Sequence, residues 1–252
     1  MTFMRPRTIG VAATLALAAV VAAGALTPGA NAAKRLPTPK ASHFGQNSTR
    51  VTNPWFPLAR GSIYVYEGQK DGKAARDVMT VTRKTKMIAG IRALPVSDRL
   101  FLNGVLAERT TDWYAQDKKG TVWYLGEKTA ELNAQGKVTS TEGSFLNGRD
   151  GAKGGIFMPT HPAVGQSFQQ ESFKGQAEDR FRILSMATSI STPAVSSQNA
   201  MLTQEKTPLE PGTVDHKYYV QGIGTVKEQQ VAGFSTPSQA EVTQLVSFTP
   251  GR

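Results

Sequence analysis

The chain predicts an all-β protein: an antiparallel meander that forms curved sheets or an open barrel, built as two tandem similar halves. Three observations carry this. Turn signals recur at intervals of 14 to 18 residues from Asp71 through Ala89, Asn103 and Asp117 to Asn133. Between them, residues such as Ile63 and Val65, or Val78, Thr80 and Thr82, alternate with their neighbours at the period of a strand. Short motifs also reappear in the same order about 105 positions later. No window after the leader shows the apolar spacing of an amphipathic helix.

Arg5 and Arg7 precede an uncharged Ala/Val/Leu run, Ile9–Leu26, and a small-x-small triplet, Ala30-Asn31-Ala32. This is the pattern of a signal peptide over 1–32, cleaved after Ala32, and it places the mature protein outside the cytoplasm. The chain has no cysteine, which excludes disulfides, thiolate metal sites and a cysteine nucleophile. The net charge of +10 is unevenly placed. Lys34, Arg35, Lys40, Arg50 and Arg60 fall in a stretch without acids, and the later body is nearly balanced. A basic stripe suited to nucleic acid is therefore not expected on the folded body. Residues 33–52, rich in Pro, Ser, Thr and Lys, read as a flexible basic spacer, with an anionic envelope polymer as one candidate partner.

Residues 53–252 read as the all-β domain. Asn53-Pro54-Trp55-Phe56-Pro57-Leu58 opens it, with prolines that forbid a helix interior and an aromatic pair that can plug one end of a barrel. Asp71-Gly72 and Asn103-Gly104 are two-residue hairpin signals. Asp117 with Gly120 marks a three-residue turn with a bulge, and Asn133 with Gly136 repeats it, setting Leu132 opposite Val138. The Asp117 turn puts Ala115 opposite Trp123 and Trp113 opposite Leu125. These four share one dry face, and Tyr114 and Tyr124 share the other, mixed face with Asp112. The glycine- and proline-rich stretch 147–165 reads as a connection between half-units at about 53–146 and 160–248.

The repeat rests on three matches. Pro57–Ile63 parallels Pro162–Phe168, Trp113-Tyr114-Ala115-Gln116 parallels Tyr218-Tyr219-Val220-Gln221, and Gly120-Thr121-Val122 parallels Gly224-Thr225-Val226. Gly61 to Trp113 spans 52 positions and Gly165 to Tyr218 spans 53.

N-P-W-F-P-L, D-W-Y-A-Q-D with V-W-Y-L-G-E, S-T-E-G-S-F, and K-Y-Y-V-Q-G-I-G with V-K-E together resemble a family of bacterial secreted proteins and lipoproteins of unknown function, over about Asn53 to Glu228. The resemblance implies an envelope or extracellular location and transfers no catalytic residue. The architecture is more distantly similar to the half-barrels of bacterial lipoprotein carriers, which enclose acyl chains. The missing lipid-bearing cysteine departs from the lipoprotein members and implies release rather than anchoring.

Chemistry is sparse. His43, His161 and His216 lie at no metal-ligand spacing, and no nucleophile elbow, phosphate loop or calcium loop is present. No cofactor or metal is expected, and the protein is read as not an enzyme. The leading expectation is a secreted non-catalytic binding protein with an apolar or lipid-like ligand. Its candidate binding residues are Trp113, Trp123 and Leu125, with Tyr114 and Tyr124 as a cross-strand pair on the opposite side. One alternative is an envelope interaction module that uses an exposed aromatic face and the basic tail on wall polymer or protein. A second is a hydrolase using the same-face carboxylates Glu108 and Asp112 with His161. No nucleic-acid partner and no membrane span after leader removal are expected.

Overall fold

The computed structural model describes residues 37–251. The leader and its cleavage site lie outside the described residues, as do Lys34 and Arg35. The first half carries β1 (Ile63–Lys70), β2 (Lys73–Val81), β3 (Lys86–Ile88), β4 (Ile91–Leu102), β5 (Val105–Gln116), β6 (Val122–Leu132), β7 (Val138–Ser140), β8 (Phe145–Leu146) and β9 (Lys153–Met158). The second half carries β10 (Ser167–Gln169), β11 (Glu171–Ser172), β12 (Arg180–Ser191), β13 (Ser196–Lys206), β14 (Val214–Val220), β15 (Gly224–Ala232) and β16 (Val242–Thr249). Two short 3-10 turns, Ala41–His43 and Pro237–Gln239, are the only helical elements among the described residues.

One antiparallel sheet contains the main path. The first half runs β1-β2-β4-β5-β6-β9, the second runs β10-β12-β13-β14-β15-β16, and β16 pairs with β1. Only Gln170 separates β10 from β11, so one kinked strand pairs with β12 on one side and with β9 on the other. The sheet is thus nearly closed into a barrel, with one unsealed seam. Six strands from each half exceed the roughly eight at which inward side chains alone fill a barrel.

The two halves start alike. Gly61 and Gly165 both sit at positive φ, 88° and 89°. The Gly61 amide donates to the Val81 carbonyl, and Val81 donates back to Ser62. Gly165 and Ile183 repeat this, with Ile183 donating back to Gln166.

The turns fold as their residues dictate. Asp71 and Gly72, like Asn103 and Gly104, take left-handed φ values at both turn positions, the type I′ geometry that matches strand twist. Gly120 donates to the Asp117 carbonyl and Gly136 to the Asn133 carbonyl, so both three-residue turns form. Leu132 faces Val138 as expected.

Two sequence readings need correction. The stretch 147–165 is not only a connection, because it contributes β9, which pairs with β6 and β11 and carries the buried Phe157 and Met158. Two of its glycines mark close approach rather than looseness. A Cβ on Gly154 would lie 2.2 Å from the Tyr124 carbonyl oxygen, and one on Gly155 would lie 2.1 Å from that of Gln169. The segment expected as a spacer through Thr52 is, from Pro37 onward, a strap laid on the barrel. Phe44 and Val51 are buried, Gln116 donates its amide to Ser48, Lys118 donates its amide to His43, and Ser48 Oγ donates to the Arg92 carbonyl. Two buried apolar side chains, backbone hydrogen bonds and the Ser48 hydroxyl fix a run whose composition is otherwise that of a linker.

Candidate functional site

The β5–β6 hairpin has two buried faces, one outside the barrel wall and one inside. Asp117 builds its turn, accepting from the Lys119 and Thr121 amides at 2.9 and 3.0 Å through Oδ1 and from Trp123 Nε1 at 3.0 Å through Oδ2. Ala115 then faces Trp123 as expected. Trp113, however, faces Gly126 rather than Leu125, because a β-bulge intervenes after Trp113. Gly126 leaves room for the indole, whose Cε3 would be 3.3 Å from an added Cβ.

Trp113, Trp123 and Leu125 lie on the outer face. They form an apolar cluster with Phe44, Ile88, Ile91, Ala93 and Ala115 beneath the strap. The rings of Phe44 and Trp123 meet edge-on at 6.4 Å, and Lys86 Nζ sits 3.9 Å from the Trp113 ring centre. These three residues are therefore structural glue between strap and wall, and the expectation that their face lines a ligand cavity is reversed. Tyr114 and Tyr124, expected on a mixed face, are fully buried and point into the barrel. Their rings stack at 5.1 Å, and Phe157 packs edge-on to both.

This inner face is stratified. At the end near the Asp117 turn, Asn53–Leu58 closes the barrel. Phe56 lies 4.4 Å from Phe157 and 5.2 Å from Tyr114, the Asn53 side chain donates to the carbonyls of Gly120 and Pro159, and the Gly222 amide donates to Pro54. Above this aromatic floor, four strands that offer an apolar or aromatic group inward carry a polar one two positions away. Asp77 follows from Met79, Asp112 from Tyr114, Lys217 from Tyr219 and Glu228 from Val226.

Two polar clusters result. On one wall, Tyr124 Oη lies 2.5 Å from Asp112 Oδ1 and 2.7 Å from Glu127 Oε2. A phenol carries one proton, so when it donates to one carboxylate the other carboxyl must bring a proton of its own. Burial pushes Asp112 up to about 7, and burial with the neighbouring Asp112 charge pushes Glu127 well above its ordinary range. Thr110 and Thr129 continue the network by donating to Glu108 Oε1. On the other wall, Lys217 Nζ lies 2.7 Å from Glu205 Oε2 and 3.7 Å from Glu228 Oε2, with 1% of the lysine side chain exposed. Burial alone would lower the lysine's affinity for its proton, but the two glutamates reverse that and hold it well above the ordinary lysine range.

Glu108 and Asp112 do share the inner face, but His161 is exposed on the loop after β9. Among the described residues, no group of His, Asp and Glu could hold a metal ion, and no helix is long and apolar enough to cross a membrane.

No protein-family model and no curated protein matches the sequence. Two solved structures resemble the fold. One is an inferred exported protein with a YmcC-like fold from Bacteroides fragilis, 11% identical, with a TM-score of 0.40 over 77% of this chain and 98% of its own. The other is an inferred lipoprotein from Parabacteroides distasonis, 10% identical, with a TM-score of 0.42 over 78% of this chain and 99% of its own.

The buried acids predict a pH response. Burial raises Asp179 to about 6, Asp112 to about 7 and Glu228 to about 8. A carboxyl whose folded pKa lies above its unfolded value binds a proton that the unfolded chain releases. The stability it contributes is full below about pH 4 and is lost as pH rises through these values. The Lys217 contribution, with its pKa raised, stays full across this range. The melting temperature should therefore be higher at pH 5 than at pH 8, and Asp112→Asn should flatten the difference. Calorimetric melts at both pH values check this, and a higher melting temperature at pH 8 would refute it.

The acids Asp77, Glu127, Glu205 and Glu228 were not singled out from the sequence. The signal that finds Asp77, Glu205 and Glu228 is phase, since each stands an even number of positions from an inward aromatic or apolar residue on its own strand; Glu127, three positions after Tyr124, escapes that signal because the β-bulge at Leu125 shifts the phase.

Proposed function

We propose that the protein acts outside the cytoplasm, as its leader implies, as a non-catalytic binding protein whose ligand enters the barrel interior. The supporting observation is the combination of a plugged barrel of six strands per half with an inner wall of stacked tyrosines above a phenylalanine floor. Such a wall takes an apolar body and fixes it with a few polar groups. Ligand contact in this reading moves from the outer indoles to Tyr114 and Tyr124. The interaction-module reading loses the exposed aromatic face it needed, since both tyrosines are buried. The likeness between the half-units supports an internal duplication that built the container from one six-strand unit.

The test is binding of the neutral probe N-phenyl-1-naphthylamine to the exported protein, with displacement by dodecanol. The expected result is a fluorescence rise at one site per chain, reversed by dodecanol, together with a higher melting temperature at saturating dodecanol. No fluorescence rise and no thermal shift would overturn the proposal.

A further inference from the structure

The polar belt of the interior is short of hydrogen-bond donors. Asp77, on β2, is completely buried, and neither of its carboxylate oxygens receives a hydrogen bond from an N–H or O–H group. The group within hydrogen-bond reach is the Asp98 carboxyl on the adjacent β4. Burial, with the charge of Asp98 beside it, raises Asp77 well above the ordinary carboxylate range, so Asp77 keeps its proton. Glu108, from β5, adds another negative charge to the pair. Tyr66, on β1, spends its hydroxyl on the Thr225 carbonyl at 2.9 Å, and Lys70, at the end of β1, acts on Glu108 and Glu131.

The shortage extends round the belt. Glu127 Oε1 is buried without a partner beside the Asp112–Tyr124 bridge. Across the barrel, Glu228 Oε2 also lacks a hydrogen bond, because Lys217 is drawn to Glu205. Buried acceptors left unmatched cost free energy, so several around one interior describe a surface shaped to meet donors.

We infer that the barrel interior is selective for ligands with an apolar body and a cationic, N–H-bearing head, with Asp77 and Asp98 as the head-group site. This rests on the proposed function and narrows it. An ammonium supplies both missing items, positive charge and several donors, and it replaces the proton held by Asp77. A fatty acid would bring a carboxylate to a wall of carboxyls and is disfavoured for the same reason.

Three probes of equal chain length separate the possibilities: dodecylamine, dodecanol and dodecanoic acid, each titrated calorimetrically into the exported protein at pH 7. Dodecylamine should bind at least ten-fold more tightly than dodecanol, and dodecanoic acid more weakly than either. Titration in two buffers of different ionisation enthalpy should show protons released on amine binding. Asp77→Asn, nearly isosteric and checked for an unchanged melt, should reduce the amine affinity at least ten-fold and leave dodecanol unaltered. Glu127→Gln provides a second variant in case Asp77→Asn does not fold. Dodecanol binding as tightly as the amine, or dodecanoic acid binding more tightly, overturns the inference and leaves the proposed function standing. No binding of any of the three overturns both.

Discussion

Lys217→Met should lower the free energy of unfolding by about 3–5 kcal/mol at pH 7, the cost of breaking a buried ion pair by removing one partner. The lysine side chain is 1% exposed and sits 2.7 Å from Glu205 and 3.7 Å from Glu228. Glu205 also accepts the Tyr219 hydroxyl at 3.4 Å, so the loss reaches the aromatic layer. Methionine keeps most of the volume, which confines the change to charge and donors. If the glutamates are then neutralised as well, in Lys217→Met/Glu205→Gln/Glu228→Gln, most of the loss should return. Denaturant titrations of the single and triple variants check this. A single variant as stable as the parent would show that these acids need no counter-charge.

Gly155→Ala should be comparably severe, about 3 kcal/mol or more, at the upper end of what overpacking costs. The added Cβ would lie 2.1 Å from the Gln169 carbonyl oxygen and 2.8 Å from that of Gln170. Both neighbours are backbone, so no side chain can swing aside. The contact holds β9 against the kinked strand at the seam, and amide hydrogen exchange in β9 and β11 should accelerate in the variant. Gly72→Ala is the contrasting control. Its Cβ meets open space, and only the left-handed φ of 68° opposes it, worth about 1–2 kcal/mol. Equal losses in the two variants would mean that close approach at the seam is not what Gly155 serves.

Much of the wall was legible from local chemistry. Asn103-Gly104 and Asp117–Gly120 fix hairpins because few residues tolerate the φ values those turns require, and the strands between follow. What escaped depended on contacts distant in sequence. Phe44 and Val51 are isolated apolar residues in a polar run, and only the surface they meet turns that run into a strap. Gly154 and Gly155 read as breakers until the Tyr124 and Gln169 carbonyls beside them are known. The hairpin's faces exchanged roles because both are buried, and alternation separates two faces without saying which looks inward. The bulge after Trp113 shifted the partner of that indole by one residue but left both indoles on the same side.

The pairing of β16 with β1 sets the timing of folding. Ile63 meets Thr249 across this ladder, so the last-made strand completes the partnership of the first. Closure of so long a loop carries an entropic cost that must be met before the ladder's hydrogen bonds can repay it, and such non-local topologies fold slowly. A polypeptide emerging from the ribosome cannot finish this wall until β16 is free to pair. Until β16 is in place, β1 has only β2 beside it and its other edge stays unpaired.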